Sequence, residues 1–131
     1  MPNTQKTILI IEDELSQLKA LVDKFQREGF VSLQARDGKK GLEIALQKQP
    51  DIILLDIVMP KMDGLTMMKK LRQENTWGRN VPIILLTNLT ADDEKINKSV
   101  AEDEPAYYLV KSNWTIDDVV KKVKERLAEK I

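Results

Sequence analysis

Four short, almost wholly apolar runs constrain the fold of this chain more than any other feature. They occupy residues 8–11, 52–55, 83–86 and 107–110. Uninterrupted apolar runs of about four to eight residues are typical of strands buried on both faces, as in a parallel sheet. A more alternating segment at residues 30–35 indicates one further strand. The pattern therefore predicts a largely buried sheet of five strands.

The segments between these runs show helical spacing. Apolar residues recur three or four positions apart within residues 15–25, 42–45, 65–71 and 116–127. A thinner stripe near residues 91–101 predicts one further helix, the fourth in chain order. Five strands alternating with five helices predict an α/β fold, in which an open parallel sheet is covered by helices on both sides.

A few individual residues give more local predictions. Leu15 is expected on the buried stripe of the first helix, and Thr115 followed by Asp118 resembles a helix-start cap. Trp77 is placed in a Gly/Asn-rich loop without a role. Trp114 is expected to pack under the last helix, and a place in a partner surface is the alternative. Four methionines are expected to pack the third helix: Met59, Met62, Met67 and Met68.

Composition narrows the chemistry open to these 131 residues. The sequence has no cysteine and no histidine, which excludes disulfides, thiolate nucleophiles, imidazole metal ligands and Ser-His-Asp catalysis. Twenty-one basic residues balance 21 acidic ones, so nothing indicates non-specific attraction to nucleic acid or membranes. With no signal-peptide pattern and no membrane-spanning run, residues 1–131 are expected to form a single cytoplasmic domain without an output domain.

Each of the four apolar runs is followed directly by a polar residue. Glu12 and Asp13 follow the first run, Asp56 the second, Thr87 the third and Lys111 the fourth. Because the carboxyl ends of parallel strands share one rim, where ligands bind, these side chains are expected to converge. Taken singly, each acid is more often a helix cap or a solvated loop residue. Three converging carboxylates repel one another, however, and a hard dication such as Mg2+ would compensate them.

These groups are also the parts that hold and neutralise a transferring phosphoryl group. An aspartate nucleophile can form an acyl phosphate. Thr87 could equally cap the next helix, and Lys111 could be an ordinary solubility residue. The GxxxxGK[ST] and GxGxxG phosphate loops are absent from the sequence. Together the strand-end residues favour phosphoryl acceptance at Asp56 beside a bound cation.

Over essentially its whole length the chain resembles the receiver domain of two-component response regulators. The matching stretches are residues 8–14, 56–64, 86–87 and 108–111. The resemblance implies a flavodoxin-like, doubly wound sheet with strand order 2-1-3-4-5, and a signalling module, not an enzyme. A phosphohistidine on a sensor histidine kinase or a histidine phosphotransfer protein would supply the phosphoryl group. A downstream protein would read the change by docking to a monomer or weak homodimer, without direct contact to nucleic acid or membrane.

The resemblance also implies a role for each matching residue of the acidic site. Asp56 would be the phospho-acceptor and would share Mg2+ (or Mn2+) with Asp13, which binds the ion directly. Glu12 would act on the ion largely through water, and Val58 would contribute its backbone carbonyl.

Three further residues receive roles from the same resemblance. Lys111 would pair with Asp56 and then with the phosphoryl oxygens. Thr87 would move to donate a hydrogen bond to the phosphoryl group. Tyr108 would be the aromatic switch residue that turns inward behind Thr87. The surface that changes would comprise the predicted fourth helix, the fifth strand and the fifth helix.

The sequence departs from the family pattern at four places. Ser112 replaces the proline that commonly follows the lysine, and a cis bond before a non-proline residue costs roughly 3 kcal/mol, so a trans bond, a rearranged loop or stored strain is expected. Asn88 replaces a small residue and is expected to crowd the phosphoryl site. Val58 offers no polar group to orient water, which predicts slow loss of the phosphoryl group. Residues 104–106, Glu-Pro-Ala, replace the usual Gly-Ala beside the switching face.

Three other functions compete with this interpretation. A haloacid-dehalogenase-like phosphatase would need a second aspartate where Val58 stands. A degenerate receiver, which binds partners without phosphorylation, stays open because of Ser112 and Asn88. A flavodoxin-like cofactor binder would need a phosphate-cradling loop after the first strand, where residues 12–14 are all acidic.

Overall fold

A computed structural model describes most of the chain and its complete central sheet. The described residues are 5–59, 61–87, 98, 101–102, 107–110 and 115–129. The five strands are β1 (Thr7–Ile11), β2 (Val31–Ala35), β3 (Ile52–Asp56), β4 (Ile83–Thr87) and β5 (Tyr107–Val110). Neighbouring strands are all parallel, and their order is β2-β1-β3-β4-β5. The predicted α/β fold and the strand order 2-1-3-4-5 are confirmed.

Five helices have defined bounds in the described part of the chain. They are α1 (Leu15–Arg27), α2 (Gly38–Lys48), α3 (Gly64–Glu74), α4 (Thr76–Asn80) and α5 (Ile116–Ala128). The helix predicted near residues 91–101 lies largely outside the described residues, although Lys98, Ala101 and Glu102 are helical. None of the described helices has the length and hydropathy of a membrane span.

The short helix α4 corrects the prediction of a loop around Trp77. Asn75 caps this helix by accepting a hydrogen bond from the amide of Gly78 at 2.6 Å. The guanidinium of Arg72 donates to the carbonyl oxygens of Gly78 and Val81 at 2.9 and 2.6 Å, which satisfies acceptors at the end of the helix. Trp77 packs, partly buried, against the α2/α3 side of the core. The error arose because one helical turn is too short to show an apolar period.

Side chains of the strands alternate between two buried layers. Ile8 and Ile10 of β1 pack in the layer under α1 and α5, whereas Leu9 and Ile11 pack in the layer under α2 and α3. This alternation follows from the two-residue period of a strand. Because helices cover both faces of the sheet, the inner strands β1, β3 and β4 carry uninterrupted apolar runs, whereas β2 at one edge includes Ser32 and Gln34. The same arrangement leaves the carboxyl ends of the strands as an edge where polar residues can lie.

Besides the loop around Trp77, the helices correct one more local prediction and confirm two. Thr115 and Asp118 form a capping box at the start of α5, as predicted. Leu15 is 44% exposed and is not part of the buried stripe. It is the first residue of α1, beyond the end of β1, where the sheet no longer covers it. The methionines predicted to pack α3 all lie in or against the layer under α2 and α3: Met59, Met62, Met67 and Met68.

Candidate functional site

Asp56 is the last residue of β3, the central strand of the sheet. Its side chain is buried, with 7% of the residue exposed. The amide of Ile57 donates a hydrogen bond to Oδ1 of Asp56 at 2.8 Å, and this bond orients the carboxylate. The amide of Gly64 in turn donates to the carbonyl oxygen of Ile57 at 2.8 Å, which closes the base of the loop at residues 57–63. The carboxylate of Asp56 is therefore held by the backbone of the residue that follows it.

Glu12 and Asp13 follow β1, the strand beside β3. Ile11 pairs with Leu55 in the sheet, so Glu12 follows β1 at the level where Asp56 ends β3. Glu12 is 2% exposed, and Asp13 is half-buried. The two strands lie where the chain order of the sheet reverses, which is the usual position of ligand sites in open α/β sheets.

The carboxylates of Glu12, Asp13 and Asp56 converge as predicted. One oxygen from each can be chosen so that all three lie within 4.8 Å of one another. Opposite ligands of Mg2+ are separated by about twice its ligand distance of about 2.1 Å, so small side-chain shifts would bring these oxygens to one ion. A set of hard oxygen donors with two buried members matches the preference of Mg2+ and Mn2+. The donor chemistry therefore fits a divalent cation.

The neighbouring acid Glu14 belongs to a helix cap. Its carboxylate accepts hydrogen bonds from the amides of Ser16 and Gln17 at 3.2 and 2.9 Å, and from the hydroxyl of Ser16 at 2.5 Å. The three consecutive acids, 12–14, thus separate into two that join the carboxylate cluster and one that caps α1. The cap places the first turn of α1 directly after the acidic pair.

The remaining predicted site residues are described to different extents. Val58, two residues after Asp56, is 60% exposed. Thr87 ends β4, and because Leu86 pairs with Asp56, the backbone of Thr87 lies one residue further toward the same edge. Tyr108 lies in β5, and its backbone pairs with Leu85.

Several predictions fall outside the described residues. They concern Lys111, Ser112, Asn88, Trp114 and the segment 104–106. The convergence of a lysine with the acidic cluster, the bond before Ser112 and the packing of Trp114 therefore remain predictions.

The turn at residues 36–38, which joins β2 to α2 and includes the first residue of α2, was not predicted from the sequence, yet it touches both acid-bearing segments. The guanidinium of Arg36 lies 3.4 Å from the backbone oxygen of Asp13, and Nζ of Lys61 lies 3.8 Å from Oδ2 of Asp37. The sequence feature that could have indicated this turn is Gly38. It is the first residue of α2, and Asp37 already caps that helix, so capping does not require a glycine there.

A second charged cluster, away from the acidic site, joins α1 to α5. Lys24 forms ion pairs with Asp117 at 3.1 Å and with Glu28 at 3.6 Å, and Lys124 pairs with the same Glu28. The hydrogen bond and charge of Asp117 raise the pKa of Lys24 above 10.5. The hydrogen bond and charge of Lys124 hold the pKa of Glu28 below 4.5.

The sequence matches one family model over most of its length. The model of the response regulator receiver domain matches residues 8–124. PhoP of Bacillus subtilis, an alkaline phosphatase synthesis transcriptional regulatory protein, is 38% identical over 93 residues, which cover 71% of this chain and 36% of PhoP. The polar-differentiation response regulator DivK of Brucella anthropi is 30% identical over 99 residues, which cover 74% of this chain and 80% of DivK. The matches span about a third to a half of the first curated relatives.

Solved structures share the fold. A putative response regulator from Chloroflexus aurantiacus has a TM-score of 0.82 and 26% identity, covering 96% of this chain and 100% of its own. CheY in the CheX-CheY-BeF3-Mg complex of Borrelia burgdorferi has a TM-score of 0.80 and 26% identity, covering 95% and 90%. A CheY-like receiver from Methanospirillum hungatei has a TM-score of 0.85 at 22% identity, covering 95% and 94%.

Proposed function

Because the chain belongs to the response regulator receiver domain family of two-component signalling, we propose that it is a phospho-accepting receiver whose acceptor is Asp56. The observation that carries the proposal is the cluster of Glu12, Asp13 and Asp56, with carboxylate oxygens within 4.8 Å of one another. Two of these acids are buried. Burying carboxylates together is costly unless positive charge offsets them, and a bound divalent cation would supply such charge.

The proposed reaction is an in-line transfer of a phosphoryl group. A carboxylate oxygen of Asp56 forms a bond to phosphorus as the bond from phosphorus to an imidazole nitrogen of the donor breaks. The bonding electron pair stays with that nitrogen, and the product is an acyl phosphate on Asp56. The hydrogen bond from the amide of Ile57 to Oδ1 orients the nucleophile before the donor arrives.

Mg2+ or Mn2+ would be held by Asp13 and Asp56, with Glu12 acting largely through water and Val58 contributing its backbone carbonyl. The bound cation would neutralise charge on the phosphoryl oxygens. The protein supplies the carboxylates at fixed positions on the ends of β1 and β3. Burial of Glu12 and Asp56 limits competing water at the site.

The roles of Thr87, Lys111 and Tyr108 complete the proposal. The hydroxyl of Thr87 donates to a phosphoryl oxygen, the ammonium of Lys111 neutralises the product, and Tyr108 transmits the change outward. The strand that Thr87 ends is the direct neighbour of β3. This adjacency supports a contact between Thr87 and the phosphoryl group.

Residues 1–131 contain no histidine, so a phosphohistidine donor would lie outside this stretch. We propose a sensor histidine kinase or a histidine phosphotransfer protein as donor, and a protein target that docks to the modified receiver, which acts as a monomer or weak homodimer. Receiver domains are typically signalling modules without enzymatic activity.

A phosphorylation assay tests the proposal. The parent chain is incubated with Mg2+ and acetyl phosphate, and the intact mass is measured with time. Asp56→Asn is the matched variant, because it keeps the shape of the side chain and removes the nucleophile. We expect one added phosphoryl group on the parent, dependent on Mg2+, and none on the variant. Beryllium fluoride with Mg2+ should change the tryptophan fluorescence of the parent alone.

Two results would contradict the proposal in different ways. A parent that gains no mass with acetyl phosphate, and whose tryptophan fluorescence does not change with beryllium fluoride, would favour the degenerate receiver, which binds partners without phosphorylation. Equal modification of the parent and Asp56→Asn would place the acceptor at another residue.

A further inference from the structure

The end of β2 holds the backbone of the acidic pair that follows β1. The amide of Glu12 donates a hydrogen bond to the carbonyl oxygen of Ala35 at 3.0 Å. The next residue, Arg36, places Nη2 of its guanidinium 3.4 Å from the carbonyl oxygen of Asp13, a long hydrogen bond. The position of Glu12 and Asp13 thus depends on the chain segment that leads into α2.

The same turn meets the loop that follows Asp56. A Cβ added at Gly38 would lie 2.0 Å from the backbone oxygen of Met62 and 2.8 Å from its carbonyl carbon. These blocking atoms are backbone, so a side chain at residue 38 requires the loop or the helix to move. Lys61, next to Met62, forms an ion pair with Asp37 at 3.8 Å.

The described residues on either side of position 60 restrict such a movement. The base of the loop at residues 57–63 is closed by the hydrogen bond from the amide of Gly64 to Ile57. Asp63, just before α3, caps that helix: its side chain accepts a hydrogen bond from the amide of Thr66 at 2.8 Å. Lys61 has φ of +68°, a left-handed conformation that is uncommon for residues other than glycine.

A shift at Met62 would therefore reach Asp56. The amide of Ile57, at the base of this loop, is the donor that orients Oδ1 of Asp56. Met62 itself packs against the layer under α2 and α3, which resists movement on the other side. A displaced loop changes the distance from Asp56 to the acidic pair on β1.

We propose that the turn at residues 36–38, and Gly38 above all, positions the two carboxylate-bearing segments relative to each other and so sets cation affinity. Gly38 is a positioning residue, because it touches no reacting atom. The inference rests on the proposed function, since it assumes that the acidic cluster binds a divalent cation. Residues that orient ligating groups commonly change metal affinity by 10- to 100-fold when altered.

The test compares two glycine variants of the full chain, Gly38→Ala and Gly29→Ala. Gly29 has φ of +91° with no atom within 4 Å of an added Cβ, so its alanine variant strains the backbone away from the site. Mg2+ affinity is measured by titration calorimetry, stability by urea unfolding, and phosphorylation by acetyl phosphate. We expect Gly38→Ala to bind Mg2+ about tenfold more weakly than the parent. Gly29→Ala should lower the urea midpoint and leave Mg2+ affinity unchanged.

Unchanged Mg2+ affinity in Gly38→Ala, or equal losses in both variants, would overturn the proposal. If Gly38→Ala does not fold, the Mg2+ affinities of Arg36→Gln and Arg36→Met test the proposal instead. Both variants lack the charge of Arg36, and only Gln can donate a hydrogen bond to the carbonyl oxygen of Asp13. We expect Arg36→Met to bind Mg2+ about threefold more weakly than Arg36→Gln, and equal affinities of the two variants would overturn the proposal.

The Mg2+ measurement also separates this proposal from the proposed function. A parent that binds Mg2+ and is not phosphorylated contradicts phosphoryl acceptance alone, and the variants still decide the positioning role. A parent without Mg2+ affinity contradicts both.

Discussion

The Cα of Gly64 lies directly against the backbone carbonyl of Asp56: a Cβ added at residue 64 would come within 2.1 Å of that oxygen. The first residue of α3 therefore sets the backbone position of the proposed acceptor. This close approach explains why a glycine is needed at a helix start that Asp63 already caps.

Gly64→Ala should lower the free energy of unfolding by about 2 kcal/mol, because an added methyl group must displace backbone. It should also slow phosphorylation of Asp56. Gly41→Ala is the matched control, since its Cβ would meet the flexible end of Ile11 at 2.5 Å and can be accommodated by a side-chain shift. Urea unfolding checks the difference. Similar stabilities of the two variants would show that the helix start can move.

Asp13→Asn should have opposite effects on stability and on Mg2+ binding. Removing one of three neighbouring carboxylates relieves repulsion, so stability without divalent ions should rise by about 1 kcal/mol. The same change removes a proposed ligand, so added Mg2+ should stabilise the variant much less than the parent. Asp23→Asn is a control outside the cluster, because Asp23 pairs with Arg27 at 2.6 Å on the surface. Urea unfolding with and without Mg2+ measures both effects, and an unaltered Mg2+ response would exclude Asp13 as a ligand.

The parent should lose its phosphoryl group more slowly than Val58→Asn. Val58 is 60% exposed and lies two residues after Asp56, where an amide could orient an attacking water. Because valine has no polar group, water near the acyl phosphate is not held for attack. The half-life after removal of acetyl phosphate checks this prediction. Val31, another exposed valine, is the first residue of β2 and lies far from the acidic cluster, so Val31→Asn should leave the half-life unchanged. Equal half-lives in all three proteins would remove any role for residue 58.

The pairs between α1 and α5 should make stability depend on pH and salt. The pKa of Glu28 is lowered in the folded state, so its contribution is present above 4.5 and is lost as the pH falls through the folded value. Lys24, whose pKa is raised, contributes fully below 10.5 and loses that contribution as the pH rises through its folded value.

Glu28→Gln should therefore unfold at lower urea than the parent at neutral pH, with a difference that shrinks in acid and in high salt. Glu43→Gln is the control, since its pair with Lys40 is long at 3.8 Å and both side chains are exposed. A difference between the parent and Glu28→Gln that persists in acid would assign the effect to packing.

The fold was predictable because the sheet is buried on both faces. Runs such as residues 52–55 have no polar side chain, which few arrangements other than a covered parallel sheet require. The convergence of Glu12, Asp13 and Asp56 followed from the same feature, since strand ends of a parallel sheet share an edge.

Other features depend on contacts that no local pattern contains. The exposure of Leu15 depends on where the sheet ends, and α4 depends on the contacts of Arg72 with two carbonyl groups. The approach of Gly38 to Met62 joins two loops that are distant in sequence, so its significance appears only in three dimensions.

The acidic cluster is divided between two strands that are neighbours in the sheet and separated along the chain by α1, β2 and α2. During synthesis, Glu12 and Asp13 leave the ribosome well before Asp56, and a chain interrupted before β3 has no acceptor. Even a finished chain gathers the three carboxylates only when β1 and β3 have paired. Under the proposed function, phosphoryl acceptance would be confined to molecules in which β1 and β3 have paired, and misfolded copies would not accept the group.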